Sequence, residues 1–177
     1  MGKGSKIALV LLRVWQIICA VIVLGILANF LRLVNEAPGA WKDGRIIYGI
    51  VTASISIVYS IVFIAPFMYA FLGFPMDFVL FVMWLVLFCL LATRTHGGSC
   101  TTFWYWNYWS FYWSRWWRTP VVVQRPGEIA RSGCNSWRAT LSFSFLAFIG
   151  YLLSAILGAY VVAKYRKKDK NRARIAA

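Results

Sequence analysis

The chain alternates between long apolar runs and short polar interruptions, and the runs are longer than a soluble core needs. Four of them reach or approach the ~20 residues that carry a helix across bilayer hydrocarbon. They cover residues 7–33, 46–72, 76–92 and 139–163. The interruptions differ in kind. Only Gly73-Phe74-Pro75 separates the second run from the third, and a Gly/Pro turn that short forces an antiparallel hairpin. A polar stretch from Asn35 to Arg45, carrying Glu36, Lys42 and Asp43, joins the first two runs. About 45 residues, 93–138, join the last two.

This pattern predicts an all-α integral membrane protein. A four-transmembrane-helix bundle fills residues 1–163, a long aromatic-rich outer loop lies between helices 3 and 4, and a polybasic, irregular tail follows over 164–177. Lys3 and Lys6 precede the first run, as in a signal peptide. The run is too long for that, and no small-x-small cleavage site ends it, so it reads as a retained span. Lys6 also stands where a myristoylation motif needs Ser or Thr. Pro66 is expected to kink the second span.

Composition agrees. The chain is 61% hydrophobic with a mean hydropathy of +0.67, whereas soluble domains are about half apolar. The net charge of +14 does not indicate nucleic acid, because the basic residues flank apolar runs or crowd the tail. Placed there, they meet lipid headgroups. Lys and Arg divide nine and nine between the two sides that four spans define, so counting does not orient the chain. Density does. The tail packs Lys164, Arg166, Lys167, Lys168, Lys170, Arg172 and Arg174 directly after a span, which places both termini in the cytoplasm. As a cluster those seven suit anionic lipid, or they serve only to anchor topology.

Cys19 and Cys89 fall inside spans and read as small apolar filler. Cys100 and Cys134 are the two cysteines of the long loop; if that loop is lumenal or extracellular, a disulfide between them would staple its base. His96 is the only histidine, so no metal site is expected. Six of the ten tryptophans crowd residues 103–118 of the same loop: Trp104, Trp106, Trp109, Trp113, Trp116 and Trp117. Trp106, Trp109, Trp113 and Trp116 follow helical spacing, which predicts a continuous indole stripe on one face. Such a stripe suits an in-plane helix at the headgroup level; it equally suits an aromatic lid on the bundle or a subunit interface.

Two charges lie at one end of the bundle. Arg13 is inside the first span and Asp77 opens the third. Either Arg13 snorkels to the headgroups while Asp77 caps its helix, or the two pair across the bundle. Small residues recur at close-packing intervals, with Gly49 and Ala53 in span two and Gly150, Ser154 and Gly158 in span four. They serve contacts within the bundle or between copies. The five acids form no acid/base pair, and no phosphate loop or metal cluster occurs, so no enzyme is expected.

Several residues together suggest a family. Asp77 opens span three, with Trp84 and Ala92 following at helical intervals; the second outer loop carries Cys; and Cys134-Asn135-Ser136-Trp137-Arg138-Ala139 leads to Phe143-Ser144-Phe145-Leu146-Ala147. In these patches and in its layout the chain resembles fungal MARVEL-domain proteins. The resemblance implies a non-enzymatic role in organising membrane microdomains or vesicle traffic, at the plasma membrane or in secretory vesicles. Its expected partners are membrane lipids, with a bound lipid or sterol, and other membrane proteins or a second copy. An accessory subunit of a larger membrane complex is the alternative, and a small channel or transporter the third.

Overall fold

A computed structural model of the chain describes residues 3–37, 39–63, 73–96, 99–115 and 133–176, with side chains from 7 to 164 other than that of Phe74. Within those residues every regular element is helical. The four long helices are α1 (Lys3–Glu36), α2 (Gly44–Val62), α3 (Phe74–Ala92) and α4 (Cys134–Ala176). Between α3 and α4 a π-helical turn, Tyr105–Ser110, runs directly into Phe111–Trp113. This short element is called the cap. Four segments are long and apolar enough to cross a membrane: Ile7–Glu36, Gly44–Val62, Pro75–Ala92 and Cys134–Lys164.

Each long helix turns one narrow stripe inward. In α1 the stripe is Arg13, Gln16, Ala20, Val23, Leu27, Phe30 and Val34; in α3 it is Asp77, Leu80, Trp84, Leu87 and Leu91. Helix α2 contributes Ile46, Gly49, Ala53, Ser56 and Ser60. Helix α4 contributes Trp137, Thr140, Ser144, Ala147, Tyr151, Ser154, Gly158 and Val161. All four stripes step by three and four residues in alternation, the spacing of helices packed at a shallow left-handed crossing. The remaining faces are apolar and exposed, among them Leu11, Ile18, Val51, Val58, Val79, Val86, Leu153 and Ile156. Neighbours around the bundle are α1 with α2, α2 with α3, α3 with α4, and α4 with α1, so α1 and α3 lie on a diagonal.

The helix limits follow from local chemistry. Asp43 caps α2 by accepting the Arg45 amide at 3.0 Å. Pro75 occupies the first turn of α3, where its missing N–H is not needed. Helix α2 closes at Val62, where the Phe63 amide donates to the Tyr59 carbonyl, and the rest of the 46–72 run, from residue 64, lies outside the described residues. Hydropathy could not detect that stop because the sequence stays apolar beyond it. Pro66 lies outside the described residues. Span four starts earlier than 139, at Cys134, because the residues before Ala139 are polar but compatible with a helix. The tail is not irregular: α4 continues through Ala176. No Gly or Pro follows Gly158, and Lys, Arg and Ala are good helix formers that extend a helix already nucleated.

Candidate functional site

At the α3 N-terminus the inward stripes bring polar residues from all four helices to one level. Arg13 does not snorkel; its guanidinium is fully buried and turns across the diagonal to Asp77. One terminal nitrogen donates to Asp77 Oδ1 at 2.6 Å and the other to Oδ2 at 2.9 Å. This fork geometry is the strongest pairing the two side chains can make. The same nitrogens reach Gln16 Oε1 at 2.9 Å and the Tyr59 hydroxyl at 3.3 Å, and the guanidinium carbon lies 4.7 Å from the Tyr59 ring centre. Asp77 accepts a third bond from Ser154 Oγ at 2.8 Å. Its place in the first turn of α3 adds the helix dipole to its stabilisation.

Two links tie this centre to backbone. Tyr59 donates to the Gly73 carbonyl at 3.0 Å, fixing the residue that opens α3, and Gln16 Nε2 donates to the Gly150 carbonyl at 3.2 Å. A second group lies deeper. Trp84 Nε1 donates to Ser56 Oγ at 2.8 Å, and the Tyr151 hydroxyl lies 3.1 Å from Ser60 Oγ. The result is a core held by directional bonds. In lipid, apolar helix faces gain little from leaving one apolar medium for another, so such bonds and close packing must select the arrangement.

Small residues permit the close approach. A Cβ on Gly49 would lie 2.6 Å from Leu27 Cδ1, and one on Gly150 would lie 3.2 Å from Trp15 Cδ1. Ala53, Ser154 and Gly158 are buried in the same stripes. All five small residues therefore face neighbouring helices of the same chain.

The cap closes the opposite end. Phe30 of α1 is its anchor, stacked 4.2 Å from the Trp109 ring and surrounded by Tyr108, Tyr112 and Trp113. Trp109 also meets Trp137 at 4.8 Å and donates through Nε1 to the Gly133 carbonyl at 3.0 Å. Tyr108 accepts the Asp43 amide at 3.0 Å and donates to the Trp41 carbonyl at 3.1 Å. Trp137 Nε1 donates to Thr95 Oγ1 at 2.8 Å, and Arg94 lies over the Trp104 ring at 5.7 Å and 3.7 Å from Asp43. A disulfide joins Cys100 to Cys134, with Cα atoms 6.0 Å apart, so the cap's leading segment is bonded to the first residue of α4. Cys19 and Cys89 are free.

The indole stripe is not continuous. Trp109 is fully buried against the bundle while Trp106 is 36% exposed. The π turn explains the difference, because its wider i→i+5 repeat moves side chains out of the 3.6-residue register that the spacing assumed. The element is a lid whose inner face is Tyr105, Tyr108, Trp109 and Tyr112, with Trp104 and Trp113 at its margins. Its outer face shows Phe103, 83% exposed, with Trp106, Asn107 and Phe111. Trp116 and Trp117 lie outside the described residues. Burial pushes the Tyr105 hydroxyl up to about 12, and it raises Tyr108 as well.

Gln16, Tyr59, Tyr151, Phe30 and Gly133 escaped the sequence reading. Gln16, Phe30 and Tyr151 lie on the alternating three-and-four stripes, where polar, small and large apolar residues are mixed; Tyr59 and Gly133 lie off them. The side chains of Arg166, Lys167, Lys168, Lys170, Arg172 and Arg174 lie outside the described residues; Lys164 stacks 5.9 Å from the Tyr160 ring. Among the described residues no three His, Cys, Asp or Glu side chains gather where a metal could be held.

Residues 6–157 match the model of the MARVEL family, described as a membrane-associating domain. Over 175 residues the chain is 26% identical to the uncharacterized membrane protein YDL218W of Saccharomyces cerevisiae, with 97% of this chain and 53% of the yeast protein aligned. The chain thus spans about half the length of that curated relative. No solved structure matches it.

Proposed function

The chain belongs to the MARVEL family of membrane-associating domains, and we propose that it acts without catalysis, as an organiser of the lipids and membrane proteins around it. One observation carries this reading. Arg13, Asp77, Ser154, Ser56, Trp84, Ser60 and Tyr151 bridge helices inside the bundle, while the outward faces of the four spans are mainly apolar. Such a body does its work on its surroundings. The diagonal occupied by Arg13 and Asp77 is where a water-filled path would have to run, which disfavours the channel reading.

Both chain ends are placed in the cytoplasm. The basic cluster over 164–174 supports this by the positive-inside tendency. The disulfide at the other end suits an oxidising lumen or exterior, as at the plasma membrane or in secretory vesicles. On that placement the basic stretch 164–174 lies on the side of the anionic leaflet, where a Lys or Arg close to the surface contributes about 1 kcal/mol. The cap's exposed rings, Phe103, Trp106 and Phe111, lie at the opposite headgroup layer.

The test is reconstitution of the full chain in giant vesicles with coexisting fluid phases. Unequal sorting between the phases and a shifted miscibility temperature, with ion flux no greater than in empty vesicles, are expected. Flux above that baseline favours a pore. Even sorting, together with a stoichiometric unrelated protein in gentle-detergent preparations, favours the accessory-subunit reading.

A further inference from the structure

Where α3 meets α4 on the outward flank lies a shallow groove of about 350 Å³, lined by Phe88, Ala92, Leu141, Ser142, Phe145 and Leu146. Its wall is aromatic: Phe88 lies 5.6 Å from Phe145 and 6.0 Å from Phe148, and those two rings are 4.9 Å apart. The volume is at the small end of the range for organic ligands. Both of its walls belong to spans long and apolar enough to cross a membrane, so lipid is the medium that meets it.

Its outer end is not apolar. Arg138 stands one turn before Leu141 and Ser142 on the same α4 face and is exposed. Side chains on a helix lean toward its N-terminus. The charge of Arg138 acts on the Tyr105 hydroxyl, which sets the guanidinium at the level of the cap. The positive end of the α4 dipole lies at the same level. Along the chain, the segment from Thr93 to Arg138 contains six arginines and one acid, Glu128. Asp43, the carboxylate nearest Arg94, is already drawn to it at 3.7 Å. A basic end on an interhelical groove is the arrangement that holds lipid phosphates.

We propose that the groove and Arg138 form a site for one anionic phospholipid, with an acyl chain along the phenylalanine rings and its headgroup on the guanidinium. The proposal rests on the reading that the outward faces are built to act on lipid, but its readout is separate: domain sorting can fail while one lipid stays bound.

The experiment is native mass spectrometry of the full chain in mild detergent, titrated with phosphatidylserine, with phosphatidylcholine of the same chains, and with inorganic phosphate. One phosphatidylserine per chain is expected, held about fivefold more tightly than phosphatidylcholine, which is the effect of one arginine at an anionic surface. Arg138→Gln removes that preference, and Arg138→Lys retains most of it. Ser142→Phe fills the groove and weakens both lipids. Inorganic phosphate does not displace the lipid, because it has no chain to occupy the groove. An intact disulfide and unchanged helicity certify each variant. Equal binding of the two lipids, an Arg138→Gln variant that keeps the preference, or displacement by phosphate alone overturns the proposal.

Discussion

The Arg13 guanidinium and the Asp77 carboxylate meet across the bundle's diagonal through two hydrogen bonds, although 64 residues separate them in the chain. Neither side chain retains meaningful contact with solvent. Each charge therefore depends chiefly on the other for its compensation, with further bonds to Ser154, Gln16 and Tyr59.

Removing one partner strands the other. Asp77→Asn and Arg13→Gln are each expected to lower stability by about 3–5 kcal/mol, the range for breaking a buried pair from one side. The double variant is expected to recover part of that loss, giving a coupling well above 1 kcal/mol, roughly the upper half of values for contacting residues. Detergent-titrated unfolding of the four proteins measures it. Additive single effects would remove the pair from the account.

The Cys100–Cys134 bond closes a segment of 34 residues. Replacing both cysteines with Ser is expected to cost the cap about 3–4 kcal/mol on a chain-entropy argument. The four long helices should persist. Faster proteolysis within residues 100–134, with unchanged far-ultraviolet dichroism, is the expected signature. A mass difference of about two hydrogens between reduced and non-reduced chain verifies the starting bond.

Gly133 and Gly39 both have positive φ, at 75° and 71°, but their surroundings differ. A Cβ on Gly133 would lie 2.7 Å from Trp113 Cγ and 2.9 Å from Trp109 Nε1, whereas one on Gly39 meets nothing within 4 Å. Gly39→Ala is expected to cost about 1–2 kcal/mol for the left-handed backbone alone. Gly133→Ala adds a steric penalty of roughly 1–3 kcal/mol and displaces the two indoles. Thermal unfolding with tryptophan emission separates the cases: a red shift is expected for Gly133→Ala only.

The cap should weaken in alkali. Burial raises Tyr105 to about 12 and raises Tyr108 too, so the folded cap holds their protons after an unfolded chain would release them. The folded state then binds more protons, and stability falls as pH rises between about 10, the ordinary tyrosine value, and 12. Tyrosinate absorbance and cap proteolysis, followed together, are expected to change over that window. Ionisation of every tyrosine near 10 with the cap still docked would contradict it.

Much of the architecture was legible because hydropathy reports directly on spans. The count of four and the aromatic segment follow from runs and breaks, whereas Phe74 and Pro75, expected in a turn, are the first residues of α3. The exits were harder, since Val62 ends α2 inside a stretch that remains apolar. Partners were harder still. Arg13 was open to two readings because its rotation about α1 is decided by Gln16, Tyr59 and Asp77 together, not by its neighbours in sequence. Trp106 and Trp109 were assigned to one face because a π turn leaves no mark in hydrophobic spacing. The 164–176 segment looked irregular from its charge, but an uninterrupted preceding helix outweighs that repulsion.

The diagonal ion pair also bears on how the chain avoids wrong structures. Apolar helices in lipid can slide past one another by a full turn, about 5.4 Å, with little change in greasy contact. A slip of α1 by that distance would carry Arg13 beyond reach of Asp77 and detach Gln16 from the Gly150 carbonyl in the same motion. Two opposite charges would then sit separately in hydrocarbon. The native alignment is thus enforced chiefly by the severity of its nearest competitors, as a key is defined by the cuts that stop it turning in other locks.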